Sequence, residues 1–193
     1  MSYYMNSIKK NCTRLINLID NIIYTSRIES GEYKLNIKEH DIVYLVEEIA
    51  LSMKELMEEK EIQLIIEPYI EEKTIECDEL EIERVILNLI SNAIKFTGKD
   101  GTIEVFIWDL GEKVRVAVKD NGIGIDLSKQ ELIFDRLSQE YLNTTEEHDG
   151  SGLSLTLNKQ IIELHNGVIW VESELGKGSE FIVELPVKQS RDL

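Results

Sequence analysis

The stretch "ELEIERVILNLISNAIKF", residues 79 to 96, limits most strongly how this chain can fold. At helical spacing Val85, Ile86, Leu89, Ile90, Ala93 and Ile94 gather on one side, while Glu81, Arg84, Asn88, Asn92 and Lys95 recur on the other at steps of three or four. A helix so divided needs an apolar layer to lie on. Two β pairs offer one. "TIEVFIWDLGEKVRVAVKD" reads as a hairpin turning at Gly111, and "GVIWVESELGKGSEFIVELP" as a second hairpin near the end of the chain. The spacing predicts an α/β fold, a two-layer α/β sandwich whose mixed sheet carries its helices on one face.

Other segments fill in that plan. Residues 41 to 60 keep helical spacing through Ile42, Leu45, Val46, Ile49, Met53 and Leu56, and a further helix over 152 to 165 aligns Leu153, Leu157, Ile161 and Leu164. "YKLNIKEH", "IQLIIEP" and "KTIEC" read as short strands, the second stopped by Pro68. A long N-terminal helix over 2 to 30 precedes them, with Gly31 as its C-cap. Along it Met5, Ile8, Cys12, Leu15, Ile19, Ile22 and Ser26 alternate steps of three and four, which is a coiled-coil seam. Ile16 and Ile23 widen that seam toward a bundle, so a partner helix is expected.

Charge excludes some functions. Net charge is −16 from 37 acidic and 21 basic residues, with no basic cluster, which argues against a nucleic-acid surface or an anionic membrane patch. No apolar run reaches bilayer length, and "MSYYMNSIKKNC" lacks a signal peptide's apolar core. Cys12 and Cys77 suit reduced thiols of a cytosolic protein, and His40, His148 and His165 have no zinc-ligand spacing.

Three polar features carry chemistry. Solvated helix faces are usually filled with Glu, Lys and Gln, so Asn88 and Asn92 are unusual choices: an amide oxygen can coordinate Mg²⁺, and Lys95 can reach a phosphate. The second feature is "KDNGIGID", where Asn121-Gly122 has the form of a hairpin turn. Ser128 and Glu131 follow at capping-box spacing, so a helix is expected to open there rather than a return strand. The glycines then bring backbone close to a ligand, and Asp120 can accept from a purine amine. The third is "DGSGLSL", where Gly150 and Gly152 precede a helix N-terminus suited to phosphate.

In this order the features resemble the ATP site of the GHKL (Bergerat) family, and the chain is similar nearly end to end to a bacterial two-component sensor histidine kinase. "DELEIERVILNLISNAIKFT" resembles the asparagine box, "DNGIGI" the first glycine box, "IFDRL" the phenylalanine box and "GSGLSL" the second glycine box. "TRLINLIDNIIYTSRIESGEYKL" is similar to the second helix of the dimerisation and phosphotransfer hairpin. The resemblance implies residues 1–32 as part of that hairpin and 33–189 as the catalytic ATP-binding domain. It implies Asn92 and Lys95 as catalytic groups, with Asn92 on Mg²⁺, Asn88 beside it and Lys95 on phosphate. Asp120 would hold the adenine amine, with Gly122, Gly124 and Ile125 shaping the pocket. Phe134 would anchor the lid's base, Gly150 and Gly152 would hinge the lid over the triphosphate, and Leu153 would join the nucleotide-binding residues. ATP and Mg²⁺ are the implied cofactors. The implied partners are a second copy through the N-terminal helix and a response regulator, in the cytoplasm or on the cytoplasmic part of a membrane-bound kinase.

The chain departs from that pattern in four places. Ser154 replaces a glycine of "GSGLSL", Leu137 replaces an aromatic of "IFDRL", and the lid "SQEYLNTTEEHDG" holds no Lys or Arg. The phosphoacceptor box is missing, because none of the three histidines resembles it. The γ-phosphoryl is therefore expected to go to a histidine on a hairpin helix absent from this chain. A non-catalytic nucleotide-binding module of the superfamily, or a GHKL ATPase, is the alternative.

Overall fold

The computed structural model describes residues 12, 15, 16, 19, 23, 24, 26–28, 30–135 and 153–189. The described residues from 12 to 28 are helical. Then follow β1 (Lys38–Asp41), α1 (Ile42–Ser52), α2 (Lys54–Glu59), β2 (Gln63–Pro68), β3 (Thr74–Cys77) and α3 (Glu79–Phe96). β4 (Thr102–Asp109), β5 (Lys113–Asp120), α4 (Leu153–Leu164), β6 (Val168–Glu174) and β7 (Gly178–Pro186) complete the order.

Five strands form one mixed sheet in the order β2-β4-β5-β7-β6, with β2 parallel to β4 and the other pairs antiparallel. β1 and β3 pair separately. Alternation along the strands sorts the two faces. Ile103, Val105 and Ile107 of β4, Val114, Val116 and Val118 of β5, and Phe181, Val183 and Leu185 of β7 point into one core with α1, α3 and α4. The opposite face holds Phe106, Ala117 and Ile182, with Trp108 and Trp170 partly buried beside them. Helices on one face of a mixed sheet, as the spacing predicts, is the arrangement found.

Three local expectations are corrected. The helix over 41 to 60 is two helices, broken at Met53, whose φ of −91° and ψ of −3° close the first. The break turns Met57 into the core at 1% exposure and leaves Leu56 at 41%, so packing overrides the stripe. Of the strand "YKLNIKEH" only the end from Lys38 to His40 forms, and it runs on to Asp41. The capping box of Ser128 and Glu131 does not form. Asp126 caps a single 3₁₀ turn, Leu127–Lys129, accepting from the Ser128 N–H at 2.9 Å, because its carboxylate is the stronger acceptor.

His165 joins distant elements. It is fully buried after α4, and its Nε2 accepts the Asp78 N–H at 3.0 Å, while Nδ1 meets the Ile161 carbonyl at 2.8 Å. Both contacts need the neutral ring with its proton on Nδ1. Burial accordingly pulls its pKa below the ordinary value, against opposing pulls from the Ile161 carbonyl, Asp78 and Glu81. A depressed histidine contributes stability that is complete above the unfolded value of about 6.5 and declines as pH falls from there through the folded value. Denaturant titrations at pH 8 and pH 5.5 should therefore show a larger acid loss in the unmutated chain than in His165→Gln, which keeps an acceptor but cannot charge. Equal losses would contradict this role.

Candidate functional site

The site begins with α3. Asp78 caps it, accepting from the Glu81 N–H at 3.4 Å, and Glu79 and Glu81 in the first turn and Lys95 in the last complement its dipole. Val85, Ile86, Leu89, Ile90, Ala93 and Ile94 are buried. Asn88 and Asn92 are half-buried and Lys95 is exposed, one turn apart along the helix. Among the described residues the buried Asn88 Nδ2 has no hydrogen-bond partner. A buried amide donor left unpaired costs roughly 1–3 kcal/mol, so its presence marks a place where a ligand oxygen fits.

The second component comes from strand parity. Val114, Val116 and Val118 occupy inward positions, and the next inward position is Asp120, 5% exposed. A carboxylate thus takes a core slot at the end of β5, paired across the sheet with Ser179. Its Oδ1 accepts the Gly122 N–H at 2.8 Å. Burial pushes its pKa above the ordinary carboxylate value, while the backbone N–H groups of Gly122 and Ser179 pull it back. No strand follows it directly: Ile123 N–H donates to the Phe96 carbonyl at 3.3 Å, so this loop closes on the end of α3. The asparagine helix and the aspartate loop therefore meet.

The glycines of that loop serve protein contacts. A Cβ at Gly122 would lie 2.3 Å from the Phe96 carbonyl oxygen, and one at Gly124 would lie 2.0 Å from that of Glu174. Both glycines lie against backbone carbonyls, where a side chain would not fit. Gly124 also has φ of +68°. Gly124→Ala should lose at least about 1–2 kcal/mol from the left-handed conformation alone, before the overlap is counted. An unchanged thermal midpoint would contradict this.

Supporting residues sit behind the loop. Ile125 N–H donates to Ser173 Oγ at 2.7 Å, and Ser173 Oγ donates to the Gly178 carbonyl at 2.7 Å. Gln130 Nε2 bridges the carbonyls of Ile125 at 3.2 Å and Ser173 at 2.7 Å. Phe134 is buried edge-on against Phe181, with ring centroids 6.3 Å apart. Ser173, Ser179 and Gln130 escape sequence reading, since only "GKGS" hints at a tight approach there. α4 opens at Leu153 and packs on α3. Gly150, Gly152, His148 and the lid lie outside the described residues, as does the side chain of Leu153. His40 sits in β1, its Nδ1 3.7 Å from Glu79 Oε2.

Among the described residues no three His, Cys, Asp or Glu side chains converge to hold a metal. Protein cages are not what Mg²⁺ usually needs beside a nucleotide: one side-chain oxygen plus phosphates and waters suffices. The amide oxygen of Asn92 is a donor of that kind, so the residues present fit the ion.

Comparison with known proteins places this geometry. Residues 77–189 match the family described as "Histidine kinase-, DNA gyrase B-, and HSP90-like ATPase". The circadian input-output histidine kinase CikA of Synechococcus elongatus is 32% identical over 185 residues, covering 95% of this chain and 24% of that protein. The chain thus spans about a quarter of that relative. The catalytic domain of histidine kinase ThkA superposes with a TM-score of 0.71 at 31% identity, covering 80% of this chain and 97% of that one. ThkA in complex with the response regulator protein TrrA superposes with a TM-score of 0.77 at 28% identity, covering 95% of this chain and 50% of that one.

Proposed function

The chain belongs to the histidine kinase-, DNA gyrase B-, and HSP90-like ATPase family, and we propose that within it the protein is the catalytic ATP-binding part of a sensor histidine kinase. Residues 33–189 are the nucleotide domain in this reading, and residues 1–32 belong to a dimerisation hairpin. The observation that carries it is the buried carboxylate of Asp120 joined through Gly122 and Ile123 to the end of the helix bearing Asn88 and Asn92.

Asp120 accepts the adenine amino group. Asn88 offers its unpaired Nδ2 to a ligand oxygen, and Asn92 holds Mg²⁺ through its amide oxygen. Bound there, Mg²⁺ neutralises charge on the phosphates. Lys95 adds a cation on the solvent side. Ile125 and Phe134 support the pocket wall, and Gly150, Gly152 and Leu153 keep the nucleotide-binding roles that the resemblance implies for them. The acceptor is a histidine of a dimerisation hairpin. Its ring nitrogen forms a bond to the γ-phosphorus as the bond to the β,γ-bridging oxygen breaks, and ADP leaves with that electron pair.

The described N-terminal helix exposes Leu15, Ile16, Ile19 and Ile23 at 58%, 58%, 54% and 53%. Such a stripe suits a second copy, with a response regulator as the downstream partner. A cytoplasmic placement follows the same reading. Among the described residues no helix is long and apolar enough to cross a membrane.

Incubation with γ-labelled ATP, Mg²⁺ and a histidine-bearing dimerisation hairpin should put acid-labile, alkali-stable label on the hairpin and none on this chain. Stoichiometric label on His40, His148 or His165 would overturn the proposal.

A further inference from the structure

A polar chain runs from the N-terminal helix to α3. Tyr24 donates its hydroxyl hydrogen to the Tyr33 hydroxyl, and Tyr33 donates to Glu81 Oε1 at 2.6 Å. The two rings also pack, with centroids 4.7 Å apart. Arg84 closes the group from the other side, with its guanidinium carbon 4.2 Å from the Tyr24 ring centroid and Nη1 3.9 Å from Glu81 Oε2. Glu81 is buried in the first turn of α3. Burial and the neighbouring carboxylate raise the pKa of both tyrosines, which keeps them protonated and donating. Tyr24 and Ile28 also pack against the domain core.

The placement of this cluster is informative. Arg84 lies one turn before Asn88 on the polar stripe of α3, and Asn92 follows one turn later. The same helix therefore grips the N-terminal helix at its start and carries the nucleotide asparagines farther on.

We propose that Tyr24, Tyr33, Glu81 and Arg84 form a clasp that positions the N-terminal helix relative to the nucleotide-binding asparagines of α3. Its use rests on the kinase reading: a hairpin helix fixed at this angle presents its acceptor histidine in line with the γ-phosphorus. These four are positioning residues, since none reaches the reacting atoms. Tyr33 is the hydrogen-bonded bridge, accepting from Tyr24 and donating to Glu81.

Cys12 makes the angle measurable. It is exposed, whereas Cys77 is buried and its thiol is pushed up to about 12, so a spin label goes to Cys12. A second label at Glu112→Cys, on the exposed turn between β4 and β5, gives a distance by pulsed electron paramagnetic resonance. Labelled chain is diluted with unlabelled chain to remove intermolecular distances. The clasped chain should give one narrow distribution, and Tyr33→Phe should at least double its width. Tyr24→Phe, which keeps the ring for Arg84 and leaves Glu81 its Tyr33 bond, should widen it in the same direction. ATP affinity should stay within twofold in both variants, while transfer to a supplied hairpin at saturating ATP falls at least fivefold. Unchanged widths, or widened distances with unchanged transfer, would overturn the clasp. Absence of transfer from the unmutated chain would count against the kinase reading, and the distances would still decide the clasp.

Discussion

Asn92→Ala should remove Mg²⁺-dependent ATP binding while leaving the fold in place. Asn92 is half-buried on the polar side of α3, away from the buried row of Val85, Ile86, Leu89, Ile90, Ala93 and Ile94. Alanine is the better helix former, so the substitution does not weaken the helix itself. What it removes is the side-chain oxygen proposed to hold the ion. Changes to groups that only orient a metal ligand already cost roughly 10–100-fold in affinity, so loss of the ligand should cost at least about 100-fold. Calorimetric titration with Mg-ATP reads the loss, and a thermal melt confirms the fold. Unchanged Mg-ATP affinity would remove Asn92 from the site.

Asp120→Asn should weaken ATP binding by roughly 1.5–3 kcal/mol, the range for hydrogen bonds to a charged group, or about 10–150-fold. The amide keeps one oxygen to accept from the Gly122 N–H but replaces the other acceptor with a donor. Its effect should depend on the base, with ATP losing more than GTP. Acid should act on the unmutated chain in the same way. Burial raises the Asp120 pKa, so ATP affinity is held above that raised value and declines as pH falls through it. The decline should start at a higher pH than an exposed aspartate would give. Asp120→Asn should lack this component, and identical pH profiles for the two chains would refute the assignment.

What the sequence discloses depends on how far apart the interacting residues lie. α3 is legible because its periodicity and its polar stripe are local, and the structure gives it the expected bounds of Glu79–Phe96. Asp120 is legible for the same reason, as the polar end of an alternating strand. The break at Met53 is not, because apolar residues continue on both sides and only packing selects Met57 over Leu56. Ser128 and Glu131 have the spacing of a cap, but Asp126 two residues earlier competes for the same N–H groups. His165 looks like an unremarkable helix end, since its partner Asp78 lies 87 residues away. Tyr33 and Glu81, 48 residues apart, are hidden in the same way. Gly122 and Gly124 announce a tight approach of backbone, but their contacts with the carbonyls of Phe96 and Glu174 are set by residues 26 and 50 positions away in the chain and do not show in the local sequence.

Titration of the unmutated chain with ATP and GTP, each with and without Mg²⁺, tests the nucleotide site most directly. A buried acidic acceptor at Asp120 and the amide ligand proposed at Asn92 predict tight binding of Mg-ATP, much weaker binding without the ion, and GTP weaker than ATP by at least about tenfold. Equal affinities for ATP and GTP, or ATP binding indifferent to Mg²⁺, would contradict a site built from these residues.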